Sequence, residues 1–370
     1  MRVALFFVML LALGAAGAQP ARDEVVARNL LPPAVKKSVA ALVAQSPVDQ
    51  STRIKRAQAL LTTGRVDGDP RTLGYAESLL AGAEQDSDVL VLRATIEQSR
   101  HRFAEAGRLL DQVLSRDPRH PQALLTRATV ATVTANYERA AADCRALQSL
   151  HADAGAICSA QVAAVTGGQD HAARVLEIAG RRTDGPLLAW ALALQGQLAE
   201  QRGDSDAAVR AYRASLQRAN DLTTRLALVD VLLARREFGA VADLLRDAPP
   251  VDGVLVRRWL MTHGVGERAT LLEEQLAQRF TEARARGEFL HAREAADFAL
   301  ARGHHDEALQ LARDNWRTQR EPADLLALAR AARAAGDTAA LNEVRATLRR
   351  TGLQDVRIER VLGAGKGVTA

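Results

Sequence analysis

A small side chain returns every 34 residues along the middle of this chain, at Ala94, Ala128, Val162 and Gly196. Twelve positions further on, a second series reads Ala106, Ala140, Arg174, Ala208 and Ala242. A third series carries Phe103 and Tyr137 before decaying to His171 and Ser205. A fixed period of this length means that each unit is one supersecondary element, which buries its apolar face only by stacking on its neighbours. Within a unit the apolar residues recur at helical spacing. Leu90, Ala94 and Ile96 lie in one run, and Ala106, Leu109, Leu110, Val113 and Leu114 in the next. Each unit therefore reads as two amphipathic helices, as over 88–99 and 103–115. Turns are marked at Gly203-Asp204, Gly303-His304 and Gly336-Asp337. Small residues at two registers let paired helices approach to about 8 Å.

Composition agrees with helices and excludes the main alternatives. Of 370 residues 48% are apolar but only 4% aromatic, so the core is built from Ala, Leu and Val. A β-sandwich or barrel wants β-branched and aromatic residues, and a disordered chain lacks this apolar content. Trp190, Gly196, Gly203-Asp204, Ala208 and Tyr212 form one pattern, and Leu90, Ala94, Phe103, Ala106 and Pro118 another. Both resemble the tetratricopeptide (TPR) repeat. The resemblance implies an all-α fold: an α-solenoid, a right-handed superhelix of about eight or nine helical hairpins over 50–351. It is clearest at 87–148, 187–247 and 289–350. It is weak over 154–184, where Arg174 replaces the small residue, and over 251–288, where a two-residue phase slip separates Ala242 from Ala308. The whole is also similar to exported bacterial TPR proteins without a defined activity.

The two ends read differently. Arg2, an apolar run from Val3 to Leu13 and the small residues Ala16-Gly17-Ala18 describe a secretory signal peptide over 1–18. The run is short of the roughly 20 residues that span a bilayer, and no later stretch is apolar enough. The expectation is an exported, soluble protein, periplasmic or extracellular. Residues 19–49, with Leu31-Pro32-Pro33, form an N-terminal lead-in, and 352–370 are expected to be a flexible tail. All but four of the 49 basic residues are arginine, and a net charge of +5 is spread thinly along the chain. Nucleic-acid binding wants a clustered basic stripe, so no nucleic-acid partner is expected.

Motifs for chemistry are weak. Gly365-Lys366 lacks the spacing and the preceding strand of a phosphate-binding loop. Six of the eight histidines fall in or beside turns. His304-His305 diverge on a turn, and His291 with Glu294 at helical spacing lacks a third ligand nearer than Asp297. No His-Glu-x-x-His, no paired Cys-x-x-Cys and no nucleophile elbow is present. The expectation is no enzyme, no metal and no cofactor. The two cysteines say more. Cys144 on a second helix and Cys158 on the next first helix each lie seven residues from a turn near His151. Opposed across an antiparallel pair, they suit a disulfide in an oxidising compartment, or else two small buried thiols in a tight contact.

The TPR resemblance also implies that the first helix of each unit lines a concave groove that holds a partner protein or peptide. On the matched registers this assigns Asp88, Gln98, Gln122, Thr126, Thr129, Gln197, Glu200, Asp230, Arg293 and Asp297 to the groove, as solvent-facing, weakly acidic positions. The second reading is a structural protein that self-associates through the solenoid ends.

Overall fold

In the computed structural model residues 49–363 are described, apart from 70, 84 and 287–290. The expected signal peptide, residues 19–48 of the lead-in and residues 364–370 therefore lie outside the described residues. The described chain is helical with no strand. Nine antiparallel hairpins follow one another: α1 (Gln50–Asp67) with α2 (Arg71–Leu79), α3 (Ser87–Ser99) with α4 (Phe103–Arg116), α5 (Pro121–Val133) with α6 (Tyr137–Gln148), and α7 (Ala152–Val165) with α8 (Gln169–Arg182). Then come α9 (Gly185–Gln201) with α10 (Ser205–Arg218), α11 (Leu222–Ala234) with α12 (Phe238–Leu245), α13 (Asp252–Gly264) with α14 (Thr270–Ala285), α15 (Ala292–Ala301) with α16 (His305–Thr318), and α17 (Pro322–Ala334) with α18 (Thr338–Thr351). A single helix, α19 (Val356–Gly363), closes the array.

Local chemistry sets these boundaries. Asp86, Asn136, Asp204, Asp221 and Asp337 stand before their helices, and each side chain accepts a backbone N–H of the first turn. Between the two helices of every hairpin one residue turns left-handed: Gly68, His101, Ala135, Gly167, Gly203, Arg236, Gly266, Gly303 and Gly336. Behind it the amide reaches back to close the helix, as Arg102 N–H does to the Glu97 carbonyl and Asn136 N–H to that of Ala131. His101, Ala135 and Arg236 hold this conformation without glycine, at about 1–2 kcal/mol each.

The left-handed residues give the true register. The small or apolar residue five positions later is buried at Ala106, Ala140, Ala172, Ala208, Val241 and Ala308. Two expected positions are corrected by this. Arg174 is exposed because the left-handed Gly167 comes two residues early in the 34-residue period, so Ala172 fills the contact; Ala242 is exposed because Val241 does. In the seventh unit Leu271 falls at this position and is 83% exposed. Only Leu276 of α14 is buried, so that helix stands off the stack.

The last expectation to change is the tail. Residues 352–363 are not loose: Leu353, Asp355 and Ile358 are buried. α19 packs on α17 and on the turn at Gly203. The Arg333 guanidinium donates to the carbonyls of Val361 and Leu362, at 2.9 Å for the closest contact to each. The reason is burial, since α19 covers the apolar end that the ninth hairpin leaves open.

Successive turns of the superhelix touch. Gln169 Nε2 donates to the Gln354 carbonyl at 2.6 Å across 185 residues, and Glu200 pairs with Arg357 across 157. Arg320 N–H donates to the Val133 carbonyl at 2.8 Å. These separations amount to roughly five 34-residue units, so one superhelical turn takes about five hairpins and no open slot separates it from the next.

Cys144 on α6 and Cys158 on α7 form a disulfide with a Cα–Cα distance of 5.4 Å, within the usual range. In the chain-entropy model a loop of this size contributes about 3 kcal/mol.

Candidate functional site

Winding about five hairpins per turn brings the first helices to face one another around the axis. Their charged residues converge from α9, α11, α13, α15, α17 and α19. Arg257 on α13 grips Asp230 of α11 with two hydrogen bonds, at 2.7 and 2.6 Å, and donates to the Gly253 carbonyl at 2.9 Å. Its third neighbour is Glu294 of α15, at 3.8 Å. Arg293, adjacent on α15, lies 3.5 Å from Glu294 and 3.3 Å from Asp324 of α17. Asp324 is 1% exposed; it also accepts from Asn315 Nδ2 at 2.8 Å and from the Glu321 N–H at 3.0 Å. A second branch starts at Glu200 of α9, which accepts from the Tyr212 hydroxyl and pairs with Arg357 of α19. Arg357 in turn binds Asp355 at 2.7 Å.

Burial splits the carboxyl groups of this cluster. Burial pushes Glu294 up, but Arg293, Arg257 and His291 outweigh it and hold the group at about 2. Asp297, one turn along α15, makes no ion pair among the described residues. Burial pushes it up to about 6; Arg330 opposes the shift and Asp230 adds to it. Burial and the charge of Asp324 push Glu321 up to about 8. His101 enters from the turn of the second hairpin. Burial, with help from His291, presses its imidazole down to about 3, and its Nε2 has no hydrogen-bond partner.

No protein-family model and no curated protein matches the sequence. Solved structures do. A thermophilic TPR protein from Thermus thermophilus is 21% identical over 50% of this chain and 100% of its own, with a TM-score of 0.41. A tetratricopeptide repeat protein from Parabacteroides merdae is 13% identical over 76% and 98%, at 0.39. The hetero-tetramer Cut9–Hcn1 of APC/C gives 14% identity over 80% and 52%, at 0.44. This chain is an all-α solenoid of TPR-like hairpins.

The ten expected groove residues of this TPR-like solenoid fall into two groups. Glu200, Asp230, Arg293 and Asp297 meet in the axial cluster. The N-terminal six divide further. Asp88 is exposed, 3.2 Å from His120 Nε2, Gln122 is half-buried, and Gln197 is half-buried on α9. Thr126 and Thr129 are buried, and their hydroxyls donate to the carbonyls of Gln122 and Leu125 four residues back. Gln98 is buried and its Oε1 has no partner. The solvent-facing expectation is thus corrected for Gln98, Thr126 and Thr129: the superhelix winds tightly enough to cover them. Arg257, Asp324, Glu321, Arg357 and His101 were not expected here. Arg357 and His101 meet the cluster across superhelical turns, which periodicity does not reveal. The adjacent Arg293-Glu294 pair on a first helix was the available hint. No group of three or more metal-binding side chains gathers among the described residues, and none of their helices is long and apolar enough to cross a membrane.

The opposed shifts fix the pH dependence of stability. Asp297 and Glu321 hold protons more tightly folded than unfolded, so their contribution is full below the ordinary carboxylate range, near 4, and is lost as pH rises through 6 and 8. Glu294 acts oppositely, contributing above about 4.5 and losing it toward pH 2. His101, pressed down to about 3, opposes them by contributing more as pH rises to about 6.5, so the urea midpoint should fall chiefly as pH rises from about 6.5 to 8. Compared with wild type, Asp297→Asn should raise the midpoint at about pH 6.5 relative to that at about pH 5. A midpoint equal at about pH 6.5 and 8, above the range in which His101 acts, would show that Glu321 titrates normally.

Proposed function

We propose that the protein is an exported, non-catalytic TPR-like scaffold, and that its first helices hold a basic segment of a partner protein or peptide. One observation carries this reading. Seven carboxyl groups (Glu200, Asp230, Glu294, Asp297, Glu321, Asp324, Asp355) share the axial region with four guanidiniums, those of Arg257, Arg293, Arg330 and Arg357. Asp230 keeps 47% of its side chain exposed, and Asp297 makes no ion pair among the described residues. A partner's lysine or arginine supplies the missing charge, and a groove rich in carboxylates repels nucleic acid. The disulfide suits an oxidising compartment, which agrees with the signal peptide.

The test is fluorescence anisotropy with a labelled Arg/Lys-rich peptide and an acidic peptide of equal length. The basic peptide should bind, weaken with added salt, and lose about tenfold in affinity, about 1.4 kcal/mol, in Asp230→Asn/Asp297→Asn. A pull-down from the envelope of the exporting cell, run with the same pair of proteins, then names the partner. Equal binding of the two peptides, or a double variant that binds as well as wild type, would overturn the assignment of this face.

A further inference from the structure

The contact that holds one superhelical turn on the next is regular. The left-handed turn residues of several early hairpins sit on segments about five hairpins later. A Cβ on Gly68 would lie 2.9 Å from the Leu222 side chain and 3.2 Å from that of Val251. A Cβ on Gly167 would lie 3.2 Å from the Gly352 carbonyl oxygen. A Cβ on Gly203 would lie 3.4 Å from both Val356 and Arg360. Between these positions Arg320 N–H donates to the Val133 carbonyl at 2.8 Å. The row then runs out of partners. At Gly266, Gly303 and Gly336, which hold the same left-handed conformation, a Cβ would meet nothing within 4 Å. Val265, beside the first of them, is 48% exposed.

The opposite edge is likewise left uncovered within the chain. Connectors at 117–120 and 183–184 follow early hairpins and have no earlier turn to sit on. Their Asp117 and Asp184 are exposed and make no ion pair among the described residues. The open turn edge carries exposed Arg268 and His305 beside exposed Glu267 and Asp306, none of them in an ion pair among the described residues.

We propose that a second copy of this chain covers each open edge, its connectors seated on the turns at Gly266, Gly303 and Gly336, so that the coil continues from one molecule into the next. The occupant is argued from continuity, since the surface that fits these turns is the one that fits their counterparts within the chain. The two edges differ, so the contact is head-to-tail and does not close at a dimer. This inference is independent of the basic-segment reading, because the axial carboxylates take no part in it.

The test is sedimentation velocity of the mature protein at low salt over a wide concentration range. Species larger than a dimer should appear and grow with concentration. Val265→Glu/Arg268→Glu on the turn edge should weaken association at least tenfold. Asp117→Arg/Asp184→Arg on the connector edge should do the same, with circular dichroism confirming that both remain helical. Mixing the two variants should restore association, because each repelling edge then meets one of opposite sign. A wild type that stays monomeric at every concentration, or that stops at a dimer, would overturn the proposal. So would two variants that associate as wild type does.

Discussion

Asp324→Ala should destabilise the protein by about 3–5 kcal/mol, the cost of removing one partner from a buried ion pair. The carboxylate has three neighbours that cannot replace it. Arg293 loses its 3.3 Å contact and keeps only Glu294 at 3.5 Å; Asn315 Nδ2 loses its acceptor; and the Glu321 N–H at the head of α17 loses its cap. The hole is polar, and the guanidinium beside it stays charged at any working pH. Equilibrium unfolding in urea, followed by circular dichroism, measures the loss. Glu177→Ala serves as the contrast, since its partner Arg181 is 75% exposed and an exposed pair of this kind contributes within about 0.5 kcal/mol. If the two variants unfold at the same midpoint, the axial network does not hold the coil closed.

The repeat was legible because stacking leaves a periodic mark. Ala94, Ala106, Ala128 and Ala140 are nearly solvent-free where two helices touch. Gly196 belongs to the same series for the same reason, since a Cβ on it would lie 2.5 Å from the Tyr212 ring. Legibility failed wherever the period shifted. The fourth turn comes two residues early in the period, so Ala172 rather than Arg174 meets its partner, and the seventh unit puts Leu271 into solvent. It failed also at the turns, because His101, Ala135 and Arg236 take a conformation usually left to glycine.

The axial site was half legible for a related reason. Helical register placed Glu200, Asp230, Arg293 and Asp297 on first helices, and that much follows from a 34-residue unit. How tightly the superhelix winds depends on small angles summed over many hairpins, and no local pattern encodes that sum. A loosely wound coil would leave these charges hydrated and available. At about five hairpins per turn they meet one another instead, so Arg257 ends 7% exposed between two carboxylates. Ion pairing therefore takes up most of these side chains, while Asp230 keeps 47% of its side chain exposed.

Gly155→Ala should cost about 3 kcal/mol or more, at or above the upper end of ordinary overpacking, although alanine is the better helix former. A Cβ at this position on α7 would lie 2.2 Å from the Cα of Gln148, 2.3 Å from its N and 2.5 Å from its Cβ. These are mostly backbone atoms of α6, so no side chain can swing away, and the two helices must separate. Separation is resisted close by, because the Cys144–Cys158 disulfide ties the same pair together. The comparison is Gly107→Ala on α4, where a Cβ meets nothing within 4 Å. There the gain in helix propensity acts alone and should stabilise by about 0.5–1 kcal/mol. Opposite signs in urea unfolding are the expected result. The cost of Gly155→Ala should also shrink in Cys144→Ser/Cys158→Ser, where the helices are free to move apart. A Gly155→Ala variant as stable as Gly107→Ala would mean that α6 and α7 do not approach this closely.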